Sequence, residues 1–214
     1  MSEPKAEHIK ELFFTFAERE REPKTIYVTD LTGCLRAAFY ELYFRANPLP
    51  TPPMVLGRLL HAVLKDVLVK EFADAEYEKR CEYVLGEGWK LVGRADIVTG
   101  DAVYEFKFTR GLGFNKAEPA YAAQVSAYCF MLGKSVGYLV DVDRDTFDVQ
   151  VLEVKPDEDL WKNMLNEASV LIDSVRKGEP PTLNSPRFGF ECKQCAWRIV
   201  CDIGREVVKG GSVQ

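Results

Sequence analysis

A chain of 214 residues that is 47% hydrophobic and 29% charged can bury a full core and is most economically one domain, 1–214. Twenty-eight Lys and Arg against 33 Asp and Glu give a net charge of −5. That argues against a nonspecific nucleic-acid coat protein but leaves room for a local basic groove. No apolar run approaches the roughly 18 residues of a membrane span, and the polar start Met-Ser-Glu-Pro-Lys lacks an apolar signal stretch, so a cytoplasmic location without membrane association is expected.

In chain order, Ile9, Leu12, Phe13 and Phe16 recur at helical spacing and predict an amphipathic helix over 5–20, with nothing that suggests chemistry. Tyr27-Val28-Thr29-Asp30 leads into a second helix over about 30–45, with Leu31, Leu35, Ala38, Phe39 and Leu42 as its stripe. Cys34 falls in its first turn, where a cysteine is either a small buried hydrophobe or a thiolate favoured by the helix N-terminus. Asn47–Pro53 is a rigid connector. A strongly amphipathic helix over Met54–Phe72 follows, with His61 beside its apolar stripe and Gly57 one turn earlier. A histidine so placed is commonly a boundary residue, but it is one of two in the chain and stays a candidate ligand.

A strand over 80–86 leads to a hairpin of Trp89–Val98 and Ala102–Phe108, joined by Thr99-Gly100-Asp101. Alternation puts Glu105, Lys107 and Val103 on one face of the second strand and Tyr104, Phe106 and Phe108 on the other. In the first strand it groups Asp96 with Arg94, opposite Leu91, Gly93, Ala95 and Ile97. Asp96 and Glu105 then converge with Lys107 beside them. Two carboxylates are hard ligands for Mg²⁺ or Mn²⁺, and a neighbouring ammonium can hold a water against a phosphate. The bland alternative is a solvated cross-strand ion pair.

Arg110-Gly-Leu-Gly-Phe114 lacks the strand–turn–helix context of a dinucleotide site and reads as a mobile loop, with Arg110 and Lys116 placed to meet a nucleic-acid backbone. A helix over Pro119–Leu132 sets Gln124 and Tyr128 one turn apart on the same side. Strands over Val136–Val142 and Phe147–Val154 flank Asp141-Val-Asp-Arg-Asp145, a calcium-loop mimic that lacks the glycine and the closing glutamate and reads as a solvated turn. A long helix over Pro156–Lys177 ends at Gly178. The tail carries Cys192-x₂-Cys195-x₅-Cys201, three thiols, with Cys34 the natural fourth, 158 positions upstream of Cys192. The spacing suits an iron–sulfur cluster, with structural zinc, which usually uses two close Cys-x₂-Cys pairs, the open alternative. Cys81 and Cys129 read as buried and inert.

Taken together, Cys34, His61, Gly93-x-x-Asp96, Glu105-Phe106-Lys107, Gln124-x₃-Tyr128 and the three tail cysteines closely resemble the CRISPR-associated Cas-four family, the iron–sulfur branch of the RecB-like PD-(D/E)xK nucleases, from about residue 29 to 204. The resemblance implies an α/β fold with a restriction-endonuclease-like core over about 54–178 and a small mixed β-sheet flanked by helices. It also implies a cluster module built from an N-terminal helical part (about 1–50) and the tail (about 185–204). His61, Asp96, Glu105 and the Phe106 carbonyl would ligate Mg²⁺ or Mn²⁺, and Lys107 would orient the attacking water. Gln124 and Tyr128 would support the site or touch DNA. Cys34, Cys192, Cys195 and Cys201 would hold a 4Fe–4S or 2Fe–2S cluster. The family's activity, 5′-to-3′ exonuclease cleavage of single-stranded DNA that prepares spacers for CRISPR integrase proteins, is the expected function, with a homo-oligomer possible. Arg58, Lys65, Arg94, Arg110 and Lys116 are candidates for the DNA path. A RecB-like repair nuclease outside CRISPR, a non-catalytic cluster-bearing DNA-binding scaffold and a zinc-stapled module are the competing readings.

Overall fold

The computed structural model describes residues 6–17, 20–46, 48–68, 74–113, 118–183, 186–188 and 191–202. It opens with helix α1 (Ala6–Phe16), whose Ile9, Leu12, Phe13 and Phe16 stay largely exposed and pack only in part against α4 (Pro52–Leu68). Two prolines begin α4, where a missing N–H costs nothing. Residues 69–72, expected to continue it, lie outside the described residues.

The helix expected over 30–45 is broken in two. A short strand, β1 (Thr25–Tyr27), absent from the sequence reading, is followed by α2 (Val28–Thr32) and α3 (Leu35–Phe44). Between the helices Gly33 and Cys34 are extended, so Cys34 is the N-cap residue of α3 and not part of a first turn. The break is held from a distance: the Arg187 guanidinium donates to the carbonyls of Leu31 at 2.6 Å and Gly33 at 3.4 Å. Carbonyls that helix continuation would have satisfied are thereby satisfied by the tail.

Six strands form one mixed sheet in the order β1-β3-β4-β5-β6, with β2 also pairing β3. They are β2 (Glu76–Gly86), β3 (Trp89–Val98), β4 (Ala102–Thr109), β5 (Val136–Asp143) and β6 (Val149–Val154). The β3–β4 hairpin is antiparallel, and β4 and β5 run parallel across the crossover helix α5 (Glu118–Leu132). One face of the sheet (Leu91, Ala95, Val103, Leu139) packs on α5 through Val125, Tyr128 and Cys129. Behind α5 lies α6 (Glu158–Lys177), capped by the Asp157 carboxylate and ended by Gly178 at φ +71°. Buried on both sides, α5 has no polar stripe. The other face (Ile97, Phe106, Val140, Val142) is covered by Leu64 and Leu68 of α4. Among the described residues no helix is long and apolar enough to cross a membrane.

Of the turn expected to be solvated at Asp141–Asp145, Asp145 is exposed but the first two acids are not. Asp141 is fully buried (0% exposed) and Asp143 is buried beside it. Asp141 accepts from the Thr109 hydroxyl at 2.6 Å and the Gly113 N–H at 2.9 Å, and Asp143 accepts from the N–H groups of Gly111 and Asp145. Strand carboxylates with no water to face take their donors from the neighbouring loop. The described part of that loop is therefore pinned, contrary to the expectation of a mobile one.

Candidate metal centre

The site forms where the central ladder splits. β3 pairs with β1 through residues 90–92 and with β4 only through Ile97 and Val98, so residues 93–96 have no strand beside them on that edge. Side chains fill the gap. The Asp96 carboxylate accepts the Phe106 N–H at 2.7 Å, doing for β4 what a strand carbonyl would have done. The Arg94 N–H is directed at the Tyr128 hydroxyl. Tyr128 comes this close because residue 93 is glycine: a Cβ there would collide with the tyrosine ring and lie 3.0 Å from the Cys81 sulfur.

The split also breaks the side-chain alternation expected for β3. Leu91 and Ala95 join the core under α5, but Ile97 joins the α4-side cluster and Val98 returns to the α5 side. The expected grouping of Ile97 with Leu91, Gly93 and Ala95 is thus incorrect. The partner strand shows the cause, because Glu78, opposite Asp96 in register, takes the left-handed conformation at φ +52° and interrupts the β2–β3 pairs. Asp96 is left at the change of face, buried between the Phe106 N–H and His61.

Glu105, 4% exposed, anchors a polar network on the α5 side. Its Oε1 accepts from Lys107 Nζ at 2.7 Å and from Gln124 Nε2 at 2.9 Å. Gln124 also accepts from Lys107 at 3.0 Å and donates to the Tyr128 hydroxyl at 2.8 Å. The same-side placement of Gln124 and Tyr128 expected from their spacing is realised as a hydrogen bond. Glu105 Oε2 is buried with no hydrogen-bond partner. Such an atom is costly unless something else meets it, and an anionic oxygen facing inward is what a hard cation requires. Without a cation, burial followed by the charge of Asp96 pushes the Glu105 carboxyl up to about 7. Lys107, half-buried, lies 4.8 Å from the Tyr121 ring centroid. Burial works against its charge, but Glu105 and Asp96 outweigh it and hold the ammonium above its ordinary range.

From α4, His61 places Nδ1 3.2 Å from Asp96 Oδ1, its ring edge-on to Phe108. Burial lowers its basicity, yet the Asp96 hydrogen bond and charge prevail and raise its pKa. One ligand atom each from His61, Glu78 and Asp96 lie within 4.8 Å of one another, the one such trio among the described residues. Glu78 was missed in the sequence because nothing in Glu-Tyr-Glu-Lys distinguishes it from a solvated strand face.

The four proposed cluster cysteines, Cys34, Cys192, Cys195 and Cys201, line one pocket with Tyr40 and Trp197. No cysteine forms a disulfide. Cys192 sits in the short helix α7 (Glu191–Gln194). The Trp197 ring stacks on Tyr40 and on Phe44, 5.8 Å from each. Burial, then the nearby Glu191 and Cys195, pushes the Cys34 thiol up to about 11. Burial disfavours the thiolates of Cys34, Cys192 and Cys195, no three of the four sulfurs lie within 4.8 Å of one another, and sulfur donors lining one pocket suit a soft metal. Cys81 and Cys129 are buried elsewhere, each pushed up to about 11 chiefly by burial. Of the expected DNA-path residues, Arg110 is exposed and pairs with Asp145 at 3.1 Å, and Arg94 pairs with Glu78 at 3.4 Å. Arg58 is half-buried on α4, whereas Lys116 and the Lys65 side chain lie outside what is described.

The family model of the PD-(D/E)XK nuclease superfamily matches residues 66–202. The CRISPR-associated exonuclease Cas4 of Saccharolobus solfataricus is 33% identical over 195 residues, spanning 85% of this chain and 89% of that protein. The crystal structure of SSO0001 superposes with a TM-score of 0.71 at 27% identity, covering 92% of this chain and 96% of that one. An alkaline exonuclease from Laribacter hongkongensis shares the fold at a TM-score of 0.55 and 12% identity, covering 78% of this chain and 93% of that one. The chain belongs to the PD-(D/E)XK nuclease superfamily and, within it, to the Cas4 family of metal-dependent nucleases.

Proposed function

We propose that this nuclease is a 5′-to-3′ exonuclease on single-stranded DNA that prepares spacer ends for CRISPR integrase proteins. The reading is supported by the network around Glu105, in which a buried carboxylate and an ammonium meet with one carboxylate oxygen left over, beside the Asp96 carboxylate that fills the split in the sheet. The relative's name, a CRISPR-associated exonuclease, supports the setting.

In this reading His61, Asp96, Glu105 and the Phe106 carbonyl hold Mg²⁺ or Mn²⁺. A cation there lowers the pKa of a water and neutralises charge on the phosphoryl oxygens. Lys107 stays an ammonium, so it orients the water and the scissile phosphate and does not act as the base. Two of its protons go to Glu105 and Gln124, leaving the third for the reacting oxygen. Gln124 and Tyr128 keep Glu105 from rotating away. Cys34, Cys192, Cys195 and Cys201 hold an iron–sulfur cluster, with 4Fe–4S favoured, that ties the tail to α3; the shared pocket supports this.

Single-stranded DNA labelled at either end, digested with Mn²⁺ and with EDTA, tests the activity and its polarity. Glu105→Ala is expected to be inactive, and normal cleavage by that variant refutes the site. Protein prepared anaerobically is expected to be coloured, with iron and sulfide. Colourless protein with stoichiometric zinc overturns the cluster.

A further inference from the structure

Glu78 lies across the ladder from Asp96, on the side of β3 away from β4. Its left-handed backbone, where β2 changes face, brings its carboxylate to His61 and Asp96, with one ligand atom of each inside a 4.8 Å span. Ligands on opposite sides of an octahedral Mg²⁺ or Mn²⁺ stand about 4.2 Å apart, so the trio is close to a coordination sphere before any adjustment. Two carboxylates and an imidazole are a suitable donor set for Mn²⁺. Exposed acids do gather without an ion, but a separate observation points to a cation here. Glu105 Oε2, buried and unpartnered, belongs to a carboxylate that feels the charges of both Asp96 and His61.

We propose that Glu78 is a ligand of the divalent cation, supplying an oxygen from the solvent side while Glu105 supplies one from beneath the sheet. This rests on the nuclease reading of the same centre and adds a residue to it. Arg94 then has a definite role. Its 3.4 Å pairing with Glu78 is loose, between two half-exposed side chains, and competes with the cation for the same carboxylate. Binding the cation releases Arg94 at the mouth of the site, next to where a phosphate backbone must pass.

Titration of the purified protein with Mn²⁺ alone, reading free Mn²⁺ by electron paramagnetic resonance, tests this without recourse to cleavage. Glu78→Gln is expected to weaken Mn²⁺ binding by about tenfold or more, with its thermal unfolding in EDTA unchanged. Arg94→Ala is expected to bind Mn²⁺ as tightly as the unmodified chain or more tightly. Glu78→Gln binding within about twofold of the unmodified chain, while Glu105→Gln binds weakly, overturns the proposal and leaves the centre standing. Equal losses in Glu78→Gln and Arg94→Ala also overturn it, since they mark a structural ion pair. Unaltered binding in both glutamate variants sinks the proposal together with the metal centre.

Discussion

Asp96, Glu105, Lys107 and Gln124 project from two central strands and a helix buried on both sides; bonds of 2.7–3.0 Å link Glu105, Lys107 and Gln124 to one another, and the Phe106 N–H holds Asp96 at 2.7 Å. Cys34, Cys192, Cys195 and Cys201 come instead from a helix cap and from a tail whose longest helix among the described residues has four residues. The tail is tied down by Arg187 to Glu167 at 2.6 Å, Arg36 to Asp202 at 3.2 Å and the stacked Trp197. In the proposed reading the oxygen centre is held by strands and a buried helix, whereas the sulfur donors join the tail to α3. Losing a ligand in the first is then expected to cost chemistry. Losing one in the second is expected to cost structure.

The largest expected effect is on cleavage. Glu105→Gln and Lys107→Ala should each lose at least ~100-fold in rate while keeping their circular dichroism, and Glu105→Gln in EDTA should melt no lower than the unmodified chain; a lower melting temperature in that variant breaks the contrast. Cys195→Ser should do the reverse, losing metal content and lowering the melting temperature by on the order of 10 °C. Calorimetry with metal analysis distinguishes the two classes.

Gly93→Ala is expected to fall between them. The added methyl meets the Tyr128 ring in a packed core, at a cost of about 1–3 kcal/mol, and displacing Tyr128 should lower the rate as well; denaturant titration and kinetics on one sample check both.

The metal-free centre also has a pH signature. Glu105 is raised from 4.5 to about 7, so the folded chain binds more protons than the unfolded one in that interval. Stability in EDTA should fall as pH rises from about 4.5 to about 7, by roughly 3 kcal/mol at most. His61, raised by Asp96, continues the fall above its ordinary range. Denaturation curves across pH should show the slope in the unmodified chain and lose its acidic part in Glu105→Gln. Arg110→Ala should do least: its exposed pair with Asp145 contributes about 0.2–1 kcal/mol, and stability should stay within that margin.

Much of the candidate centre's local geometry was legible in the sequence. Glu105 and Lys107, two apart on a strand, must share a face, and Gln124 and Tyr128, four apart on a helix, must share a side. Both statements survive because the local period holds there. Asp96 was found, but its surroundings were misread, since alternation presumes an unbroken pleat and Glu78 breaks it. Asp141 and Asp143 were taken for solvated residues because Asp-Val-Asp-Arg-Asp is turn-like in composition; apart from the Asp145 N–H, the donors named for them come from Thr109, Gly111 and Gly113, 28 to 32 positions away.

By itself, then, the order of residues determined the longer helices, the central hairpin, the spacing of the candidate site side chains and the family they resemble, because each depends on neighbours within a turn or two of chain. Only the tertiary structure decided that β1 sits beside β3 and shortens the hairpin ladder, that Tyr128 and Asp96 close the resulting gap, and that Glu78 stands at the mouth of the site. Those outcomes depend on which backbone groups are left without a partner when the strands assemble, and no local pattern records that.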